Sequence, residues 1–131
     1  MLVGAALAGL AIENSMLGAA HAAANPLTAH FHIVHGQAVG ILLPLVIRFN
    51  SSDETTAQLY NDLHPDAAAR IDELLNLAGF PSSLSECGVK PSAIPQLAAE
   101  AAKQWTANFN PRPATEKDFE KLYEAAFEPR H

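Results

Sequence analysis

Between Met1 and Ile47 the chain carries one formally charged residue, Glu13, and all eight Lys and Arg lie from Arg48 onward. A segment this poor in charge cannot supply its own solvated surface, so its apolar residues need neighbours to cover them. The first third therefore reads as a buried-type segment, and the last two thirds as a chain with an ordinary wet surface. Gly4, Gly9 and Gly18 fall in the charge-poor part. Each would weaken an isolated helix, but glycines are tolerable where neighbours approach closely. A small-residue helix packed on all sides is expected there. A signal peptide is disfavoured, because no Lys or Arg precedes the apolar run. A membrane span is disfavoured too, since Glu13, Asn14, Ser15 and His21 interrupt the roughly 20 apolar residues that one needs.

Composition narrows the function classes. Hydrophobic residues make up 49% of the 131 and charged residues only 17%, which excludes general disorder. The length suits one domain spanning 1–131. The net charge of −6 argues against a nucleic-acid partner, which would call for a basic face. A single cysteine, Cys87, excludes an internal disulfide and a CxxC site, and reads as a small apolar residue. The expected setting is cytoplasmic.

The punctuation predicts an all-α, antiparallel domain of about six to seven helices. No long run alternates as a strand would. Helices are expected over 2–12 and 15–24, with Asn25-Pro26 ending the second because the residue before proline avoids the α region. Residues 26–34 would connect to a helix over 35–49, kinked at Pro44. Ser51-Ser52-Asp53 caps a helix over 54–63, and Asp66 caps another over 67–78 that stops at Gly79-Phe80-Pro81. After a loop over 81–91, a helix is expected from Ser92 to Thr106. Thr115 and Asp118 have the capping-box spacing for a last helix ending near Ala126. Trp105, Phe109, Phe119, Tyr123 and Phe127 read as core, and Lys117, Lys121 and Arg130 as a solvated face.

Histidine is the chemical signal. Four of the six, His21, His30, His32 and His35, fall within fifteen residues of the charge-poor segment. Imidazole suits divalent iron, zinc, copper or nickel. His21 and His35 lie fourteen apart, so one can come from a helix and the other from the start of the next. A buried histidine can also simply bond a carbonyl, and spacing alone leaves both readings open. Glu13 reads as a helix-end charge rather than a ligand. Gly36-Gln37-Ala38-Val39-Gly40 is not a dinucleotide fingerprint, and no phosphate-binding P-loop is present.

The runs Gly18-Ala19-Ala20-His21-Ala22-Ala23-Ala24-Asn25-Pro26-Leu27, His32-Ile33-Val34-His35-Gly36-Gln37-Ala38, Ile41-Leu42-Leu43-Pro44 and Arg48-Phe49-Asn50 together resemble the metal-binding C-terminal region of the iron-containing (group III) alcohol dehydrogenases. Val89-Lys90, Ile94-Pro95-Gln96-Leu97-Ala98 and Asn110-Pro111-Arg112-Pro113 extend the likeness in the same order. The resemblance implies a dehydroquinate synthase-like C-terminal helical domain. It implies a divalent metal, Fe2+ with Zn2+ as the alternative, held by one aspartate and three histidines, of which His21 and His35 match two. It places the other two ligands and an NAD(P)-binding domain upstream of anything in this chain, so that the chain is expected to begin inside the helical domain and to be inactive alone. The metal would polarise the oxygen of a small alcohol or aldehyde substrate. Many members have another histidine where this chain has Asn25, beside the substrate and nicotinamide; an amide can hydrogen-bond there but cannot relay a proton. Ile12 is the other position expected on the substrate side. His30 and His32 match no family ligand.

Two other readings follow from the residues. The Ala/Gly-rich first third would expose an apolar patch in isolation and drive self-association into a dimer or higher oligomer. Alternatively, His21, His32 and His35 would form a free-standing metal site.

Overall fold

A computed structural model describes residues 2–129. The core is built on two helices that are almost free of charge: α2 (Ala19–Phe31) and α3 (His35–Asn50). Ala19, Ala22, Ala23, Ala24 and Leu27 of α2 are fully buried, as are Ala38, Ile41 and Leu42 of α3 apart from about one percent. The small side chains of α2 let its neighbours come close, which is why an alanine-rich helix can form the middle of the domain. Around this pair pack α4 (Glu54–Leu63), α5 (Ala67–Leu77), α6 (Ile94–Ala102) and α7 (Glu116–Phe127). Helix α6 lies on α2 and α7, while α5 lies on α3. Short 3-10 turns cover Pro91–Ala93 and Trp105–Phe109, and α1 (Leu2–Ser15) opens the described chain. The described residues contain seven α-helices and no strand, as the sequence led us to expect.

Local chemistry sets several ends. Asp53 accepts from the Thr56 N–H and caps α4; Asp66 accepts from the Ala69 N–H and caps α5. At α7, the Thr115 hydroxyl and the Asp118 carboxylate each accept from the other's backbone N–H, a complete capping box.

Four expectations need correction. Pro26 does not end α2, which runs five residues further to Phe31. Burial of Pro26 and Leu27 outweighs the local preference of an X-Pro step. Three residues before the proline, the buried Tyr123 hydroxyl donates to the Ala23 carbonyl at 2.6 Å and ties this turn of α2 to α7. The α2–α3 connection is thus only residues 32–34, and His32 closes α2 in the left-handed region at φ 54°. Second, the helix expected over 92–106 ends at Ala102, because Gln104 is extended and begins a separate 3-10 turn. Third, Trp105 and Phe109 lie in that turn, stacked edge to face and about half exposed, whereas Phe119 and Tyr123 are core. Fourth, α1 buries no residue at all. Its apolarity calls for cover that the rest of the described chain does not provide.

Among the described residues no single helix is long and apolar enough to cross a membrane; α1 and α2, bent by 100° at their junction, reach that length and composition only together.

Candidate metal centre

The two histidines that the resemblance matches to metal ligands meet. His21 is the third residue of α2 and His35 the first residue of α3. Their imidazole rings come to 5.4 Å between centroids, tilted by 47°. His21 is half-buried and His35 exposed. Burial, and then the neighbouring His35 ring, hold the His21 imidazole below its ordinary value. A neutral ring has a lone pair free for a cation.

The pair suits a divalent ion in donor type and in spacing. With metal–nitrogen bonds of about 2.1 Å, two imidazoles on one ion place their rings on the order of 5 Å apart. It is half of a set at most: among the described residues no group of three or more His, Cys, Asp or Glu side chains could hold a metal ion. His32 accordingly does not join His21 and His35, and the free-standing three-histidine arrangement is not formed. His30 instead meets Glu100 of α6 at 2.7 Å. Glu13 stands exposed on α1.

Beside His21 runs a groove of about 430 Å3. Ile12, Leu43, Val46 and Phe109 give it apolar walls, and Asn50, Tyr60 and Asn110 give it a polar end. Ile12, expected on the substrate side, thus shares a cavity with His21. Asn25, one turn after His21, points to the start of the second 3-10 turn, where its Nδ2 donates to Gln104 Oε1 at 3.0 Å.

The polar end was not legible as a unit from sequence. Asn50 closes α3 and Asn110 follows the second 3-10 turn; both are more than nine-tenths buried. Asn110 Nδ2 donates to Asn50 Oδ1 at 2.7 Å, and Asn50 Nδ2 donates back to Asn110 Oδ1 at 3.3 Å. Asn50 Nδ2 also donates to the Tyr60 hydroxyl at 3.1 Å, and Asn110 Nδ2 to the Arg112 carbonyl at 2.6 Å. Arg112 lies over the Phe49 ring, 3.8 Å from its centre, and donates to the Phe49 carbonyl. So Arg48-Phe49-Asn50 and Asn110-Pro111-Arg112, sixty residues apart in the chain, are one structure in space. The available signal was that two asparagines occur in motifs resembling those of one family.

A family model described as "Fe-containing alcohol dehydrogenase family, C-terminal" matches residues 1–127. The chain belongs to this family. Lactaldehyde reductase of Escherichia coli (strain K12) is 33% identical over 143 residues, covering 97% of this chain and 37% of the relative. The 1,3-propanediol dehydrogenase of Klebsiella pneumoniae is 33% identical, covering 92% of this chain and 35% of the relative. A solved 1,3-propanediol oxidoreductase structure superposes with a TM-score of 0.80 at 32% identity, over 92% of this chain and 35% of that one. An alcohol dehydrogenase from Oenococcus oeni gives a TM-score of 0.78 at 29% identity. The chain spans about a third of the length of the curated relatives it matches.

Proposed function

We propose that this chain provides the metal-holding helical part of an NAD(P)-linked alcohol dehydrogenase, with His21 and His35 as two imidazole ligands of one divalent ion. Membership of an iron-containing family favours Fe2+, with Zn2+ the alternative. One observation carries the reading: the two rings stand 5.4 Å apart. When bound, the metal polarises an alcohol oxygen and lowers its pKa, which eases hydride transfer to nicotinamide. This chain's own part is to present both imidazoles from a rigid helix pair. The groove containing Ile12 gives the carbon skeleton of a small alcohol or aldehyde an apolar wall. Asn25 hydrogen-bonds within the domain and supplies no imidazole for proton relay. The cytoplasm, where Cys87 stays reduced, is the expected setting.

Two imidazoles hold metal more weakly than three or four ligands. The purified chain is therefore expected to bind Co2+ weakly, with a visible ligand-field band that His21→Ala and His35→Ala each abolish. It is also expected to give no alcohol-dependent NAD reduction with added ferrous or zinc ion. A band that survives both substitutions would remove the ligand assignment, and robust turnover would refute the inactivity.

A second reading is favoured by α1, which exposes Leu2, Val3, Leu7 and Leu10 by more than half. A helix that is apolar all round is stable in water only when covered. The chain is expected to self-associate through it. A monomer at tens of micromolar by light scattering would count against this.

A further inference from the structure

We infer that the Asn50–Asn110 amide pair is the positioning element that holds His21 against His35. Helix α2 begins without a side-chain cap of its own, since Gly18 occupies the capping position. The missing acceptor comes from ninety-one residues away: Asn110 Oδ1 accepts the Ala19 N–H at 3.2 Å. Ala19 is two residues before His21, so this bond fixes the turn that carries the imidazole. The same oxygen accepts from Asn50 at the end of α3, the helix whose first residue is His35. One amide thus ties the start of the helix bearing one imidazole to the end of the helix bearing the other.

The pair is built to hold one position. The four N–H bonds of the two amides go to Tyr60, the Arg112 carbonyl and each other. Neither side chain can rotate without leaving a buried donor unmatched. Gly18 completes the contact: a Cβ there would stand 3.0 Å from Asn110 Oδ1. Its φ of −119° is open to any residue, so what glycine gives at 18 is room for the Asn110 amide.

The consequence for metal binding rests on the ligand reading above, while the positional claim does not, and the experiment separates them. In the intact chain, NOEs between the ring protons of His21 and His35 report their approach, and Co2+ alone is the metal probe. Asn110→Leu removes the acceptor and the donors. It is expected to lose the ring-to-ring NOE while keeping its helical circular dichroism, and to weaken Co2+ binding about tenfold or more, as loss of ligand-orienting partners does. Asn110→Asp keeps an acceptor for Ala19 and is expected to retain the NOE. Gly18→Ala strikes the same contact without touching either amide and is expected to weaken the NOE, which covers the case in which Asn110→Leu does not fold. An undiminished NOE in a folded Asn110→Leu or in Gly18→Ala overturns the inference. Absence of any Co2+ band in the unsubstituted chain would defeat the ligand reading, and the NOE comparison would still decide the positional one.

Discussion

Tyr123→Phe isolates a single buried atom. The hydroxyl it removes donates to the Ala23 carbonyl at 2.6 Å, and the ring is fully buried against α2. The packing of the ring is unchanged by the substitution, so the loss is that of a hydrogen bond to a buried acceptor, about 1–3 kcal/mol. The pH dependence sharpens the test. Burial first, and then the Glu100 carboxylate, push the Tyr123 phenol well above its ordinary value of 10.0. The folded chain therefore keeps the proton where the unfolded chain releases it. Stability from this group is complete below pH 10 and falls as the pH rises above it, by up to about 1.4 kcal/mol per pH unit. Phenylalanine has no such dependence. Urea denaturation at pH 8 should show the variant about 2 kcal/mol less stable. The gap should close toward zero between about pH 11 and 12, by the same slope. A gap that stays constant from pH 8 to 11.5, or one below about 0.5 kcal/mol at pH 8, would refute the claim that this hydroxyl is buried and bonded.

Other perturbations are smaller or act elsewhere. Thr115→Ala removes half of the α7 capping box and should cost about 1 kcal/mol in thermal or urea unfolding. Bonds from Thr115 hold the Asp118 carboxyl below its ordinary 3.8, so that contribution is present above this pH and lost as the pH falls through the lowered value; the acid limb should be shallower in the variant. Glu100→Gln breaks the charge pairing with His30 on the surface and should change stability by less than about 1 kcal/mol. Leu7→Glu combined with Leu10→Glu should lower the apparent mass in light scattering toward that of the monomer, with helical circular dichroism retained.

How much could be read in advance followed the range of the forces involved. The caps of α4, α5 and α7 were legible because Asp53, Asp66 and Thr115 act on backbone groups within three residues. Pro26 misled for the same reason: its local preference is against helix, and what overrides it is burial among residues distant in sequence. The break after Ala102 has no glycine or proline to announce it. Gln104 leaves the helix where its side chain accepts from Asn25, a contact across seventy-nine residues. The aromatic spacing of Trp105 and Phe109 assumed a helix that the 3-10 turn replaces. The apolarity of α1 stated a need for cover, but sequence does not say what fills that need. At the candidate metal centre, the imidazoles of His21 and His35 were legible as a pair through the family-like motifs they sit in, while the length of the turn between their helices was not. The amides behind them were not, because a buried asparagine looks like any other until its partner is known.

The corner between α1 and α2 turns on Met16, whose φ of 64° is left-handed without being glycine. Its N–H is tied to the Ile12 carbonyl at 2.9 Å. Such a backbone costs roughly 1 kcal/mol or more and persists only where its surroundings fix it. Helix α1 is about 21 Å long at 1.5 Å per residue, and it is attached at this end. A swing of about 20° at one residue would carry the far tip some 7 Å, by that length. The helix is thus a lever joined to the domain through residues 16–18, and whatever surface receives it also selects the angle at which it stands.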